Sequence, residues 1–287
     1  MLLSVEVAAS PHVLYTNVVE PILRWTFVRK GYALVHGACL SLNGQAVMLS
    51  AQTDTGKTTT VLRTLTRYPY SFLSDDMIVL SRDGILRNFP KPLTNSNHTL
   101  AAVSNASLST RQRLALQIQS RVHSRSGRRF AHALARARIP VASVNALAQI
   151  IIPPPKYRID QLIREVALTE QARLSYLVFI EIGDEGEKVL DKKTALEVLL
   201  RNCEDAYGFP PYEELAGFLL DSFDEDLPKA EAKIIEDALE GCPTLLIRSM
   251  KRDWWRRLPT IFEELEEDRS AATTTSLEPS QGQANIS

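Results

Sequence analysis

The stretch Val47-Met48-Leu49-Ser50-Ala51-Gln52-Thr53-Asp54-Thr55-Gly56-Lys57-Thr58-Thr59-Thr60 constrains this chain more than any other. It runs from an apolar β-type segment, through a short polar loop, into a segment that reads as a helix from Lys57 to about Leu65. Gly-Lys-Thr between a strand and a helix is the setting of a phosphate-binding loop. Gly56 lets the backbone turn so that successive amides face one anion, and the helix N-terminus adds its positive end. Lys57 can then reach the outer phosphates, and the Thr58 hydroxyl suits Mg²⁺. The full signature opens on a glycine that falls at position 51, where this chain has Ala51. Asp54 lies inside the loop, where a carboxylate must face away from a triphosphate or bind its metal. The expected nucleotide contacts are therefore Ala51, Gln52, Thr53, Asp54, Thr55, Gly56, Lys57, Thr58 and Thr59.

Two further elements flank the loop. Phe72-Leu73-Ser74-Asp75-Asp76-Met77-Ile78-Val79-Leu80 sets two adjacent carboxylates between apolar β-type runs, some 18 residues beyond the lysine. Alone such a pair reads as a solvated turn; beside the loop it supplies the acidic partner that Mg²⁺ on Thr58 requires, making Thr58, Asp75 and Asp76 the candidate metal ligands. Upstream, His36 lies in the apolar run Val35-His36-Gly37-Ala38-Cys39-Leu40. A lone histidine there is ordinarily a packed core residue, and it is the placement before the loop that marks it.

Charge is partitioned along the chain. Lys and Arg against Asp and Glu give a net +1 for residues 1–83, +12 for 84–159 and −14 for 160–287, and the middle block holds no carboxylate at all. Its eight arginines between 111 and 138 decorate two helical patterns, with Leu114, Ile118 and Val122 forming one apolar stripe and Phe130 with Leu134 another. Docking on the chain's own acidic half is the preferred reading of this block, and recognition of an anionic acceptor the alternative. Nucleic acid is disfavoured, because the block is poor in aromatics and carries no RNA- or DNA-reading module.

No apolar run approaches the length that spans a bilayer, so no membrane association is expected. The start, MLLSVEVAAS, carries Glu6 in its apolar stretch and reads as a strand rather than a signal peptide. Cys39, Cys203 and Cys242 are odd in number and widely spaced, which speaks against a disulfide framework or a structural zinc site and for a reducing, cytoplasmic setting.

Elsewhere the pattern predicts a helix over 15–28, strands over 32–42 and 45–50 around the hairpin dipeptide Asn43-Gly44, and a strand over 70–80 interrupted by Ser74-Asp75-Asp76. Arg82-Asp83-Gly84 marks a turn into a return strand. Strands are expected over 146–152 and 174–182. Beyond these come helices from a Thr194/Glu197 capping box to about Asp205, over about 212–222, and over about 227–239 before Gly241. A strand over 244–248 and a closing helix over 254–267 follow, with Trp254-Trp255 read as core and cap. The Ser, Thr and Gln-rich tail from Arg269 is expected to be disordered. The organisation predicted is a core over 1–182 that includes the basic block at about 105–140, a mainly helical acidic region over 183–268, and a tail over 269–287.

Taken together, His36-Gly37-Ala38-Cys39-Leu40, Thr55-Gly56-Lys57-Thr58-Thr59, Ser74-Asp75-Asp76 and Asp83-Gly84-Ile85 resemble the HPr kinase/phosphorylase and phosphoenolpyruvate carboxykinase superfamily. The resemblance spans about residues 31–100. Ala51 and Asp54 stand where the family has glycines. The resemblance implies an α/β (α+β) fold: a P-loop core with a twisted mixed sheet of the HPr kinase/PEP carboxykinase type, followed by a mainly helical C-terminal part. It implies that Lys57 and Thr58 engage phosphate and Mg²⁺, that one of Asp75 and Asp76 acts as base on an acceptor hydroxyl while the other holds the metal, and that His36 lies near the transferred phosphate. The carboxykinase oxaloacetate-binding and metal-binding segments have no match here. The expected activity is therefore ATP- and Mg²⁺-dependent transfer of a phosphoryl group to a hydroxyl of a peptide, a protein or a small metabolite. The alternative is a catalytically weak nucleotide-binding regulator acting through protein partners. The resemblance also leans toward a homo-oligomer.

Overall fold

The computed structural model describes residues 15–89, 91, 93–94, 156–207, 220 and 226–276. The strand expected at the N-terminus, the arginine-rich helices, the strand at 146–152, most of the helix at 212–222 and the tail beyond 276 lie outside these residues.

A π-helical turn, Tyr15–Val19, leads into α1, Glu20–Arg29. Then come β1, Tyr32–His36; β2, Ala38–Leu42; β3, Gln45–Ser50; and α2, Lys57–Leu65. Next are β4, Ser71–Ser74; β5, Met77–Ser81; β6, Ile85–Asn88; and a small ribbon of β7, Leu93–Thr94, with β8, Lys156–Tyr157. A short helix α3, Ile159–Leu162, precedes the long β9, Gln171–Glu181. The chain continues through β10, Gly186–Val189; α4, Lys192–Tyr207; α5, Leu227–Ala238; and β11, Thr244–Arg248. A 3₁₀ turn, Trp254–Arg256, and α6, Leu258–Ser276, close it.

One mixed sheet organises the described residues, in the order β1-β5-β6-β9-β3-β2-β4 with β11 and β10 added beyond the second half of β9. β9 is its spine, parallel to β3 on one edge and to β11 on the other, and antiparallel to β6 at its start. Alternate side chains leave opposite faces of each strand. Val47, Leu49, Val178, Ile180, Leu245 and Ile247 join α2 and α6 in one core; Ala46, Met48, Leu177, Phe179 and Leu246 join α1, α4 and α5 in the other. Burial on both faces explains why these strands read as continuous apolar runs rather than alternating ones. The result is a three-layer mixed α/β fold. On the second face the buried Arg24 guanidinium makes paired bonds of 2.8 and 2.6 Å to buried Glu231 and reaches Glu204 at 2.7 Å, tying α1 to α5 and α4.

The hairpin at Asn43-Gly44 forms as its sequence predicts, with φ of 53° and 82° at the two turn residues. The expected single strand over 32–42 is in fact two strands, broken at Gly37, whereas the run over 70–80 is interrupted at Asp75-Asp76 as expected. The reason is one bend shared by both. His36 faces Met77 and Cys39 faces Ser74, so register is continuous across the break and Gly37 stands opposite Asp76, to whose carbonyl its N–H donates at 3.2 Å. A Cβ on Gly37 would lie 2.8 Å from both the Leu49 carbonyl oxygen and Met48 Cε. Only glycine lets the ribbon bend that close to β3.

Three further differences have local causes. The N-cap of α4 is Asp191, whose carboxylate accepts from Thr194 N–H at 2.9 Å and Thr194 Oγ1 at 2.7 Å, in place of the Thr194/Glu197 box. The closing helix starts at Leu258, after the separate 3₁₀ turn, and continues past Arg269 to Ser276. Arg269 there reaches the Asn43 carbonyl at 3.4 Å, and Ser270 Oγ bonds the Glu266 carbonyl at 2.8 Å. Finally, β11 beyond residue 182 pairs with β9, so the C-terminal segment contributes strands to the core sheet as well as helices to its faces. Among the described residues no helix is long and apolar enough to cross a membrane.

Candidate active site

β3 delivers the chain to the loop at Ser50, and α2 takes it away at Lys57. Asp54 and Gly56 turn the loop through φ of 64° and 128°. The Gly56 value lies in a region that side-chain-bearing residues rarely adopt, which is why a glycine precedes the lysine. Thr55 Oγ1 donates to the Gln52 carbonyl at 2.8 Å and Thr60 Oγ1 to the Gly56 carbonyl at 3.0 Å, closing the turn on itself. Trp254 lies against the loop, its ring 3.4 Å from where a Gly56 Cβ would stand. Trp254 is core, whereas the Trp255 ring meets the Arg67 and Arg256 guanidinium groups at 4.4 and 5.1 Å from its centroid.

Lys57 is buried and folds back over the loop, its Nζ donating to the carbonyls of Ala51 at 2.8 Å and Gln52 at 3.3 Å. Burial lowers its pKa, against the opposing pull of the carboxylates of Asp76, Asp75, Asp205 and Asp54. Thr58 Oγ1 donates to Asp75 Oδ2 at 2.7 Å, so the hydroxyl and the carboxylate that the sequence pairs for a metal are in direct contact. Thr59 makes no side-chain hydrogen bond among the described residues. Burial, and then repulsion from Asp76, raise the Asp75 pKa to about 6 against the favourable effects of Thr58 and Lys57. Its other oxygen, Oδ1, is buried and has no hydrogen-bond partner among the described residues.

Asp76 has the opposite setting. It takes a left-handed φ of 73° opposite Gly37, and its half-exposed side chain lies 2.5 Å from Lys91 Nζ and 3.5 Å from His36 Nε2. Desolvation raises its pKa, but Lys91 and His36 together outweigh this and hold the carboxyl far below the usual range. Lys91 in turn bonds both oxygens of buried Glu20 on α1, at 3.0 and 3.2 Å. Desolvation lowers the Lys91 pKa, and the two flanking carboxylates more than reverse it. Ser74 brings this lysine into place. Its Oγ donates to the Met77 carbonyl at 2.6 Å and accepts from Phe89 N–H at 3.3 Å, clamping the Asp75-Asp76 bend to the segment that ends at Lys91.

His36 is buried at the end of β1. Its Nδ1 is 3.1 Å from the Asn202 carbonyl of α4, and since a carbonyl only accepts, that nitrogen carries a proton. Asn202 Nδ2 donates to Ser50 Oγ at 3.1 Å, which donates to the His36 carbonyl at 3.1 Å. A third contact from α4 reaches the loop itself: Asp205 Oδ2 accepts from Thr53 N–H at 2.7 Å.

The structure thus brings Lys57, Thr58, Asp75, Asp76 and His36 to one end of the parallel strands. It adds four residues that sequence spacing did not select: Glu20, Lys91, Asn202 and Asp205. Lys91 had one usable signal, its setting in Pro90-Lys91-Pro92, since flanking prolines restrict the backbone; the others had none. Among the described residues no group of three or more His, Cys, Asp or Glu side chains is arranged to hold a metal ion. The set present nonetheless fits Mg²⁺, which is typically held by one or two carboxylates together with substrate phosphates and water. A buried carboxylate with one unpartnered oxygen and one hydroxyl contact is that kind of half-site.

Fold and site together define a mixed α/β protein in which a strand–loop–helix turn carrying Gly56-Lys57-Thr58 stands beside two carboxylates in contrasting settings. No protein-family model and no curated protein matches the chain. It is similar to the solved structure of the Hpr(Ser) kinase/phosphatase from Coxiella burnetii over 82% of this chain and 98% of that one, at 9% identity and a TM-score of 0.35. Likeness at that level carries no argument about activity, which rests on the geometry above.

Proposed function

We propose that the chain is a phosphotransferase of the HPr kinase-like type, moving the γ-phosphoryl group of ATP to a hydroxyl of a peptide, a protein or a small metabolite. The observation that carries this reading is the 2.7 Å bond between Thr58 Oγ1 and Asp75 Oδ2 at the start of α2, one residue beyond the loop lysine. A helix N-terminus, a glycine in a left-handed turn, a lysine and a hydroxyl–carboxylate pair are the parts that phosphate binding with Mg²⁺ requires.

In this mechanism the loop amides and Lys57 take the phosphate chain, Lys57 exchanging the Ala51 and Gln52 carbonyls for phosphate oxygens. Thr58 and Asp75 hold Mg²⁺, which when bound neutralises charge on the transferring group. Asp75 is the better-suited ligand because one of its oxygens lacks a partner among the described residues. Asp76 faces the acceptor and accepts a hydrogen bond from its hydroxyl. Lys91 and His36 keep Asp76 ionised, so it aligns the nucleophile and takes the proton late, as suits a loose transition state in which the hydroxyl bonds little before the leaving group departs. Glu20 anchors Lys91 and so positions Asp76 at one remove.

Calorimetry with ATP and Mg²⁺ tests the site. Binding is expected for the wild-type protein and is expected to be lost in Lys57→Ala. Thr58→Val should weaken binding in Mg²⁺ but not in EDTA, and Thr58→Ser should restore it. Equal binding by wild type and Lys57→Ala would refute the assignment. The regulator reading is favoured by one observation, the presence of Ala51 and Asp54 in the loop. Labelled ATP incubated with cell extract separates the two: transfer to an acceptor that Asp76→Asn abolishes supports the kinase, and binding without transfer supports the regulator.

A further inference from the structure

Thr53 N–H is an amide of the loop that the proposed function assigns to phosphate, and its partner is a carboxylate of the protein itself. Asp205 Oδ2 lies 2.7 Å away, presented by the C-terminal part of α4. Asp205 is exposed, and among the described residues it forms no ion pair with any cation. Glu204 beside it is paired with Arg24, so the two neighbouring acids serve different ends. Lys57 Nζ is on the carbonyl side of the Gln52–Thr53 peptide, at 3.3 Å from the Gln52 oxygen, and Asp205 is on its N–H side. A trans peptide directs these two groups in opposite directions, so the unit is held between a cation and an anion. The Asp205 charge also acts on Lys57.

We infer that Asp205 is a positioning residue that sets the affinity of the loop for phosphate, acting as an internal anion that an incoming phosphate chain has to outcompete. This rests on the reading of residues 51–58 as the phosphate site. Two effects point the same way. A triphosphate that draws on the Thr53 amide must break a charge-assisted hydrogen bond, and it must approach a carboxylate that forms no ion pair among the described residues. Because α4 also supplies the Asn202 contact to His36, any movement of this helix end would change loop affinity and histidine placement together.

The test is ATP binding with Mg²⁺, measured by calorimetry on the full chain for wild type, Asp205→Ala, Asp205→Asn and Glu197→Ala. Glu197 is an exposed acid earlier on α4 and controls for the loss of one negative charge. Asp205→Ala is expected to bind about tenfold more tightly, Asp205→Asn to fall between it and wild type, and Glu197→Ala to match wild type. A structural role alone would weaken binding. Lys57-dependent binding in Asp205→Ala, with none in wild type, would also support the inference. Equal or weaker binding by Asp205→Ala, with Lys57-dependent binding intact in wild type, overturns the inference and leaves the phosphate site standing. Absence of binding in both proteins at millimolar ATP overturns the two together.

Discussion

Gly37 stands opposite Asp76 across the bent ribbon of β1–β2 and β4–β5, and its N–H donates to the Asp76 carbonyl at 3.2 Å. A glycine in an apolar run and an acidic residue in a bend, 39 positions apart, are therefore one structural unit. The bend needs the missing side chain of the first, and it turns the carboxylate of the second toward Lys91 and His36. The fold and the candidate site are built at the same place.

Gly37→Ala is expected to destabilise the protein by about 1–3 kcal/mol through overpacking. Its Cβ meets the backbone oxygen of Leu49 at 2.8 Å, which cannot move without displacing β3, as well as the flexible Met48 side chain at the same distance. Urea denaturation should show a lower midpoint with an unchanged slope, and ATP binding should weaken because β3 leads directly into the loop. A stability equal to wild type would show that the ribbon can bend without the close approach.

Lys91→Met should cost about 3–5 kcal/mol, because it strands Glu20 in the interior and removes the cation beside Asp76. Replacing Glu20 by Gln in the same protein should recover part of that loss, since the buried charge then disappears with its partner. A double-mutant cycle by chemical denaturation measures the coupling. Additive effects of the two substitutions would refute the network.

Asp75→Asn is expected to stabilise the protein at pH 8 and to have a smaller effect at pH 4. The folded-state pKa of Asp75 is raised to about 6, above its unfolded value, so the folded protein holds this proton more tightly than the unfolded chain does. The stability it contributes is complete below about pH 4 and is lost as pH rises through 6, a loss of about 3 kcal/mol. The neighbouring Asp76, whose pKa is depressed, contributes in the opposite sense, and the comparison of variant with wild type isolates Asp75. Melting temperatures recorded from pH 4 to 8 should diverge as pH rises; parallel curves would count against the buried, repelled carboxylate. Mg²⁺ with ATP should narrow the difference by favouring the ionised wild-type side chain.

Much of the framework was legible from local patterns. The helix at Lys57, the Asn43-Gly44 hairpin, the strand at 244–248 and the Thr58, Asp75 and Asp76 set all follow from features a few residues across, where periodicity, turn chemistry and the strand–loop–helix order act directly on the backbone. The interruption at Ser74-Asp75-Asp76 was legible, but the break at Gly37 was not, because that glycine is explained only once it is paired with Asp76. Nor was the extension of α6 beyond Arg269, whose contact with the Asn43 carbonyl joins residues 226 positions apart.

By itself the sequence determined that a loop carrying Gly56-Lys57-Thr58 stands between an apolar strand and a helix with two carboxylates nearby, because those features are written in contiguous residues. It left the two aspartates equivalent. Only the tertiary structure distinguished them, placing Asp75 in a buried contact with Thr58 and Asp76 between Lys91 and His36. The physical reason is that a carboxylate's basicity depends on the water it loses and the charges it meets. Here those charges arrive from α1 and from the segment after β6, and α4 supplies the carbonyl that orients His36; chain folding brings these segments together, and sequence spacing does not.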